Sequence, residues 1–248
     1  MDLITGKVQD IIFKHDMSRI IQSCLKHGNE AQRNVIAGEL VGHYLTLSKS
    51  MYGRFIVVKI LHYCPRYREA IIKEFYGKVR QLIKHKEASE IIEDAYSTYA
   101  SSAQRAALIQ EFYGPEFRLF KIEDKKTLSE ILEQNPTKKD NIMKHLLETL
   151  TGCMEKGTVG FSIVHRGLLE YFEHADAKGI QVRFRFYLFD ERYSMCFLRL
   201  AFLTAKNSHF FLIGNVGRHE GAGCRDFAHQ GGRPGRHALL VARIAQGS

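Results

Sequence analysis

A chain of 248 residues, 45% apolar and 25% charged, can bury a sizeable core as one domain or an elongated array, which excludes a disordered or collagen-like chain. Its formal net charge of +9 invites an acidic partner such as nucleic acid, but residues 1–179 hold 26 Lys/Arg and 23 Asp/Glu, a net of +3, and residues 180–248 hold 10 and 4, a net of +6. Five cysteines without a C-x-x-C pair or zinc spacing argue for a reducing compartment, the acidic amphipathic start is unlike a secretory signal, and the most apolar window, 195–203, is short and broken by Arg199, so no membrane span is expected.

In chain order, Val8, Ile11 and Ile12 form an apolar stripe at helical spacing. Residues 15–26 make a second helix that Gly28 ends, and Asn29 is placed to cap a third running through Gln32, Val35, Ile36 and Leu40. Three short helices thus make one unit. In the second helix, Ser18, Arg19 and Gln22 are expected to emerge together as a polar edge, with Ile20, Ile21 and Leu25 turned into the core. Between residues 52 and 86, nine basic side chains (Arg54, Lys59, Arg66, Arg68, Lys73, Lys78, Arg80, Lys84, Lys86) face only Glu69 and Glu74 before Lys86, a run that reads as a solvated helix face or as a binding surface.

The unit recurs. Ser18-Arg19-Ile20-Ile21-Gln22 aligns with Arg54-Phe55-Ile56-Val57-Val58, Ser89-Glu90-Ile91-Ile92-Glu93, Ser129-Glu130-Ile131-Leu132-Glu133 and His165-Arg166-Gly167-Leu168-Leu169, at steps of 36, 35, 40 and 36. Ala31-Gln32-Arg33 returns as Ala103-Gln104-Arg105, two such periods later. Helical patterns with this period predict an all-α solenoid of about five three-helix units over residues 1–179, the longer step accommodating Tyr113-Gly114-Pro115.

These units resemble Pumilio (PUF) repeats. Lys14-His15-Asp16, Arg19-Ile20-Ile21-Gln22, Tyr113-Gly114 with Phe117, and Leu128 with Leu132-Glu133 are similar to the Puf-A-like branch, nucleolar proteins tied to ribosome biogenesis, over residues 4–178. The resemblance implies a curved array whose concave, basic face binds RNA or DNA mostly through the backbone, and it implies a nuclear, nucleolar location. It also makes Ser18 with Gln22 an adenine-like reading pair, Arg19 a stacking residue, and Ser89 with Glu93 and Ser129 with Glu133 guanine-like pairs. Arg54, Phe55 and Val58 match no reading pair, and Glu90 and Glu130 at the stacking position would repel phosphate, so no contiguous code is expected. The expected RNA contacts are Ser18, Arg19, Gln22, Arg54, Phe55, Lys59, Lys84, Lys86, Ser89 and Glu93, in a face that favours phosphates over bases and suits structured or double-stranded RNA. A scaffold that docks pre-ribosomal proteins is the competing expectation.

Residues 180–248 depart from the pattern, with strand-like alternation at 182–186 and Gly, Arg and His enrichment at 214–235, and are expected to form an irregular, poorly ordered tail. Read one base out of frame with synonymous codons free, residues 227–246 permit a further repeat segment of this family, Ser-His-Thr-Lys-Glu-Gly-Ala-Gln-Val-Ala-Met and its continuation. The tail thus reads as intron-derived sequence from 180 to about 214, followed by a frameshifted repeat.

An enzyme is not expected. His15-Asp16 lacks a further metal-ligand set, and Cys24, Cys64 and Cys153 stand at apolar positions suited to a core. Gly214 and Gly217 lack the Lys-Ser/Thr ending of a phosphate loop. Neither a cofactor, a metal nor a small-molecule substrate is expected.

Overall fold

The computed structural model describes residues 6, 8–119 and 126–175, and every element among them is helical. The tail of residues 180–248, with its frame-shifted reading, lies outside the described residues. The first unit is α1 (Val8–Ile11), α2 (His15–His27) and α3 (Glu30–Glu39). Asn29 opens α3 with a capping box: its side chain accepts the Gln32 N–H at 2.9 Å, and Gln32 Oε1 accepts the Asn29 N–H at 3.0 Å. Ser101 and Gln104 repeat this box two units later. The recurrence of Ala-Gln-Arg therefore marks the start of each of these third helices.

The second unit is α4 (Tyr44–Lys49), α5 (Gly53–Tyr63) and α6 (Arg68–Phe75), and the third is α7 (Val79–Leu82), α8 (Ser89–Asp94) and α9 (Ser102–Gln110). A π-helical turn, Ala95–Tyr99, prolongs α8. The second helices stack, α2 on α5 and α5 on α8. Ile21 and Leu25 of α2, Ile56, Val57 and Ile60 of α5, and Ile91 and Ile92 of α8 are buried. Each such side chain contributes about 1.5–3 kcal/mol on full burial, which a single unit, open on both sides, cannot collect.

Two polar devices recur with the units. The first closes a unit on itself. Glu39 accepts the N–H groups of Gly6 (2.7 Å) and Val8 (3.3 Å), Glu74 those of Gly42 (2.6 Å) and Leu45 (3.1 Å), and Glu111 those of Gly77 (2.5 Å) and Val79 (3.0 Å). A carboxylate from the end of the third helix thus satisfies the free amides at the entry to the first. Gly6, Gly42 and Gly77 have φ of 79°, 88° and 77°, a left-handed conformation that presents the amide to the carboxylate and strains any residue with a Cβ.

The second device joins neighbours. Arg33 donates to the Lys26 carbonyl (3.0 Å) at the end of α2 and lies 4.9 Å above the ring of Tyr63, at the end of α5. Arg68 donates to the Leu61 carbonyl (2.7 Å) and lies 4.6 Å above Tyr99. Each arginine caps its own unit's second helix and stacks on the next unit's.

After the third unit the expected step changes. The chain passes through α10 (Glu116–Leu119) and α11 (Leu128–Gln134), then enters the long α12 (Lys139–Glu155) and α13 (Ser162–His174). It is α13, not α11, that continues the stack of second helices, since it packs on the π turn and on α9, and α12 lies against it as a first helix. Gly167 of α13 marks the close approach: a Cβ there would stand 3.2 Å from Leu150, 3.3 Å from Phe112 and 3.6 Å from Ile109. Among the described residues the array is therefore three complete units followed by α12 and α13, with α10 and α11 between them and outside the stack of second helices that Ser129 was expected to join. In α11 Glu130 closes a capping box with Thr127, whereas α8, whose text it resembles, starts without a side-chain cap, so the likeness of Ser129-Glu130 to Ser89-Glu90 does not extend to a shared role.

Glu74→Ala should leave the Gly42 and Leu45 amides unpaired at a cost of about 1–3 kcal/mol, lowering the melting temperature by about 2–4 °C for each kcal/mol. Glu69→Ala, which removes an exposed pair with Lys73, should leave it nearly unchanged. Thermal unfolding followed by circular dichroism compares the two.

Candidate nucleic-acid interface

The second-helix face is built from α2, α5, α8 and α13. On α2 the polar edge is not the one expected. Ser18 is buried with Ile21 and Leu25, because residues 18, 21, 22 and 25 lie on one stripe at 3.6 residues per turn. Its hydroxyl donates to the Tyr52 carbonyl of the next unit (3.2 Å) and accepts from Gln22 Nε2 (3.2 Å). Ile20 points outward and is 46% exposed. Arg19 is exposed, so of the three expected edge residues it alone projects fully into solvent. His15 packs edge-on against Tyr52, with centroids 5.0 Å apart, and holds Asp16 at 2.8 Å.

On α5, Arg54 lies between two carboxylates, Glu87 at 3.0 Å and Glu90 at 3.2 Å, with its guanidinium 4.4 Å above the ring of Phe55. The charge expected to meet phosphate is already partnered across the unit boundary, while Phe55 is 43% exposed beside it. Lys59 is half-buried, its ammonium 6.0 Å from the centre of the Tyr63 ring. On α8, Ser89 is buried. Glu93 accepts the Ser162 N–H (2.9 Å) and so caps the start of α13, which has no side-chain cap from its own N-cap residue. Lys84 reaches along α12 to Gly152, and Lys86 is 92% exposed, 3.9 Å from Glu87.

The structure thus brings Arg19, Phe55 and Glu90 to the solvent side of successive second helices, one position after the buried Ser18, the half-buried Arg54 and the buried Ser89. It places Lys84 and Lys86 in the segment between α7 and α8. Ser129, expected on this face, instead meets His174 Nε2 at 3.1 Å. What was missed is Arg166 on α13, exposed and bonded to Glu170 (2.7 Å), whose other oxygen accepts from the Tyr113 hydroxyl (2.5 Å). The i,i+4 spacing of Arg166 and Glu170 was the available signal. Burial and the adjacent Glu170 push the Tyr113 phenol far above its ordinary range, so it acts as a donor.

Among the described residues no group of three or more His, Cys, Asp and Glu side chains is placed to hold a metal ion, and no helix is long and apolar enough to cross a membrane. Cys64 and Cys153 are buried, and burial raises both thiols, that of Cys153 to about 11.

What the fold defines is an α-solenoid of three-helix units with a mixed-charge second-helix face. No family model matches the chain. Pumilio homology domain family member 6 of Schizosaccharomyces pombe is 43% identical over 178 residues, which are 71% of this chain and 28% of that protein. Human Pumilio homolog 3 is 40% identical over 178 residues, with the same two shares. The crystal structure of human Puf-A has a TM-score of 0.68 at 38% identity, covering 74% of this chain and 36% of that one. A second structure of human Puf-A, in complex with DNA, has a TM-score of 0.66 at 35% identity, covering 79% and 40%. The chain belongs to the Pumilio repeat family, in its Puf-A-like branch. It spans 28% of the length of each of the two curated relatives.

With iodoacetamide at pH 8, Cys24, which is half-buried, should label in the native protein, while Cys64 and Cys153 should label only after denaturation. Peptide mass mapping reads each site separately.

Proposed function

We propose that this repeat array binds RNA through phosphate-directed contacts with weak base preference, as part of a nucleolar protein acting in ribosome biogenesis or in post-transcriptional and translational regulation. The observation that carries the reading is that Ser18 and Ser89 are buried and Glu93 caps a helix, so the side chains that resemble base readers serve the fold, while Arg19, Phe55 and Lys86 are exposed. An exposed cation meets any phosphate and an exposed ring meets any base, and neither contact requires a particular sequence. The DNA complex of human Puf-A, a structural relative, supports the same ligand class. With Arg54 held by Glu87 and Glu90, the charge contribution of α5 is smaller than the sequence suggests, which favours modest affinity.

A protein-docking scaffold within pre-ribosomal particles is the second reading, favoured by the exposure of Ile20 and Met51 on or beside the same face. Salt separates the two. The logarithm of RNA affinity should fall linearly with the logarithm of salt concentration. Arg19→Ala should weaken unrelated RNA sequences alike and reduce that slope by about 1, and Phe55→Ala should cost about 1–3 kcal/mol if a base stacks there. Fluorescence anisotropy measures both, and affinity insensitive to salt and to both variants would leave the scaffold.

A further inference from the structure

At the joint between the second and third units the positive charge is already matched. Arg54 meets Glu87 at 3.0 Å and Glu90 at 3.2 Å, and Lys86 stands 3.9 Å from Glu87. Two cations therefore face two carboxylates, and a phosphate arriving here gains little attraction. Two other capacities stay open. Phe55 carries the Arg54 guanidinium 4.4 Å from its ring centre and is still 43% exposed, which leaves ring surface away from the guanidinium in solvent. The Glu90 side chain is 70% exposed; its Oε2 accepts from Arg54, while its Oε1 accepts from no group among the described residues.

These groups form one assembly. The Arg54 guanidinium, held by the largely buried Glu87, touches the Phe55 ring and the Glu90 carboxylate at once. Ring and carboxylate thus stand a single guanidinium apart, within the span of one nucleobase. A stacking surface with an acceptor at its rim suits a base that presents N–H donors on its edge. Guanine presents two adjacent donors, N1–H and the N2 amino group, to a carboxylate that has about four acceptor sites and spends one on Arg54. Adenine and cytosine present one amino group beside a ring-nitrogen acceptor. Uracil presents its N–H between two carbonyl oxygens, which a carboxylate repels.

We propose that Phe55 and Glu90 form a base seat on the second-helix face that prefers guanine, with Arg54 as the positioning residue that holds ring and carboxylate together. The seat rests on the RNA binding proposed above and adds one base preference to it. That preference does not come from Ser89 and Glu93, since Ser89 is buried and Glu93 caps α13.

The test uses the full chain and short uridine RNAs carrying one central guanosine or inosine, with binding read by fluorescence anisotropy. Inosine keeps the N1–H of guanine and lacks its N2 amino group. The guanosine strand should bind at least about fivefold more tightly than the all-uridine strand, with inosine between them. Glu90→Gln should remove most of this preference. Arg54→Lys, which keeps the charge, should keep the salt slope and still reduce the preference for guanosine. Should Glu90→Gln instead tighten every strand alike, Glu90 acts only by repelling phosphate and the proposal falls. Equal binding of all three strands by the unaltered chain overturns the seat and leaves the RNA-binding function standing. Guanosine monophosphate that shifts the amide resonances of Phe55 and Glu90, in a chain that binds no strand, supports the seat and defeats the RNA-binding function; neither shift nor strand binding overturns both. An oligo-arginine peptide that binds at Glu90 more tightly than the guanosine strand overturns the nucleic-acid assignment.

Discussion

A carboxylate that accepts two backbone amides closes each complete unit, and the array depends on it. Glu39, Glu74 and Glu111 leave the ends of third helices and return to the glycine entries of their own first helices, 29 to 34 residues back. Hydrogen bonds to a charged acceptor are worth about 1.5–3 kcal/mol each, and here they do what a long helix would do by length. Helices of 4 to 13 residues in these units are too short to persist alone, so each needs its ends tied before its apolar face can dock. Once a unit is closed, its third-helix arginine stands where it can reach the next unit's tyrosine.

The nucleic-acid face follows from that scaffold. Stacking α2, α5 and α8 brings residues 18, 54 and 89 into the joints between units, where Ser18 bonds to the Tyr52 carbonyl and Arg54 bridges to Glu87 and Glu90. The residues one place further on, Arg19, Phe55 and Glu90, reach solvent. Polar side chains next to a joint thus have two possible employments, and those whose helical phase points them inward serve the joint. The joint after α9 is different. There Arg105 stands over no ring among the described residues and lines a cavity, and the second helix that follows ends in His174 rather than a tyrosine.

Much of the fold was legible because its chemistry is local. The period appears in the text, and the capping boxes at Asn29 and Ser101 account for the Ala-Gln-Arg recurrence. The closing carboxylates recur as Glu-x-x-Gly at 39–42, 74–77 and 111–114, a spacing the sequence reading passed over because its purpose needs the partner some thirty residues earlier. The assignment of α11 to the stack failed for a related reason. Apolar residues at helical spacing suit any helix with one buried face, so Ser-Glu-Ile-Leu-Glu at 129–133 established a helix without establishing its neighbour.

By itself the sequence determined that this is an all-α array of short capped helices with a family-level likeness to Pumilio repeats, since propensity, capping and apolar periodicity act within a few residues of one another. Tertiary structure alone decided that α13 follows α8, that Arg54 meets Glu87 and Glu90, that Glu93 caps α13, and that Arg105 opens on a pocket. Each of those contacts joins residues far apart in the chain. Which of a carboxylate's or a guanidinium's many compatible partners it meets is set by how the helices pack.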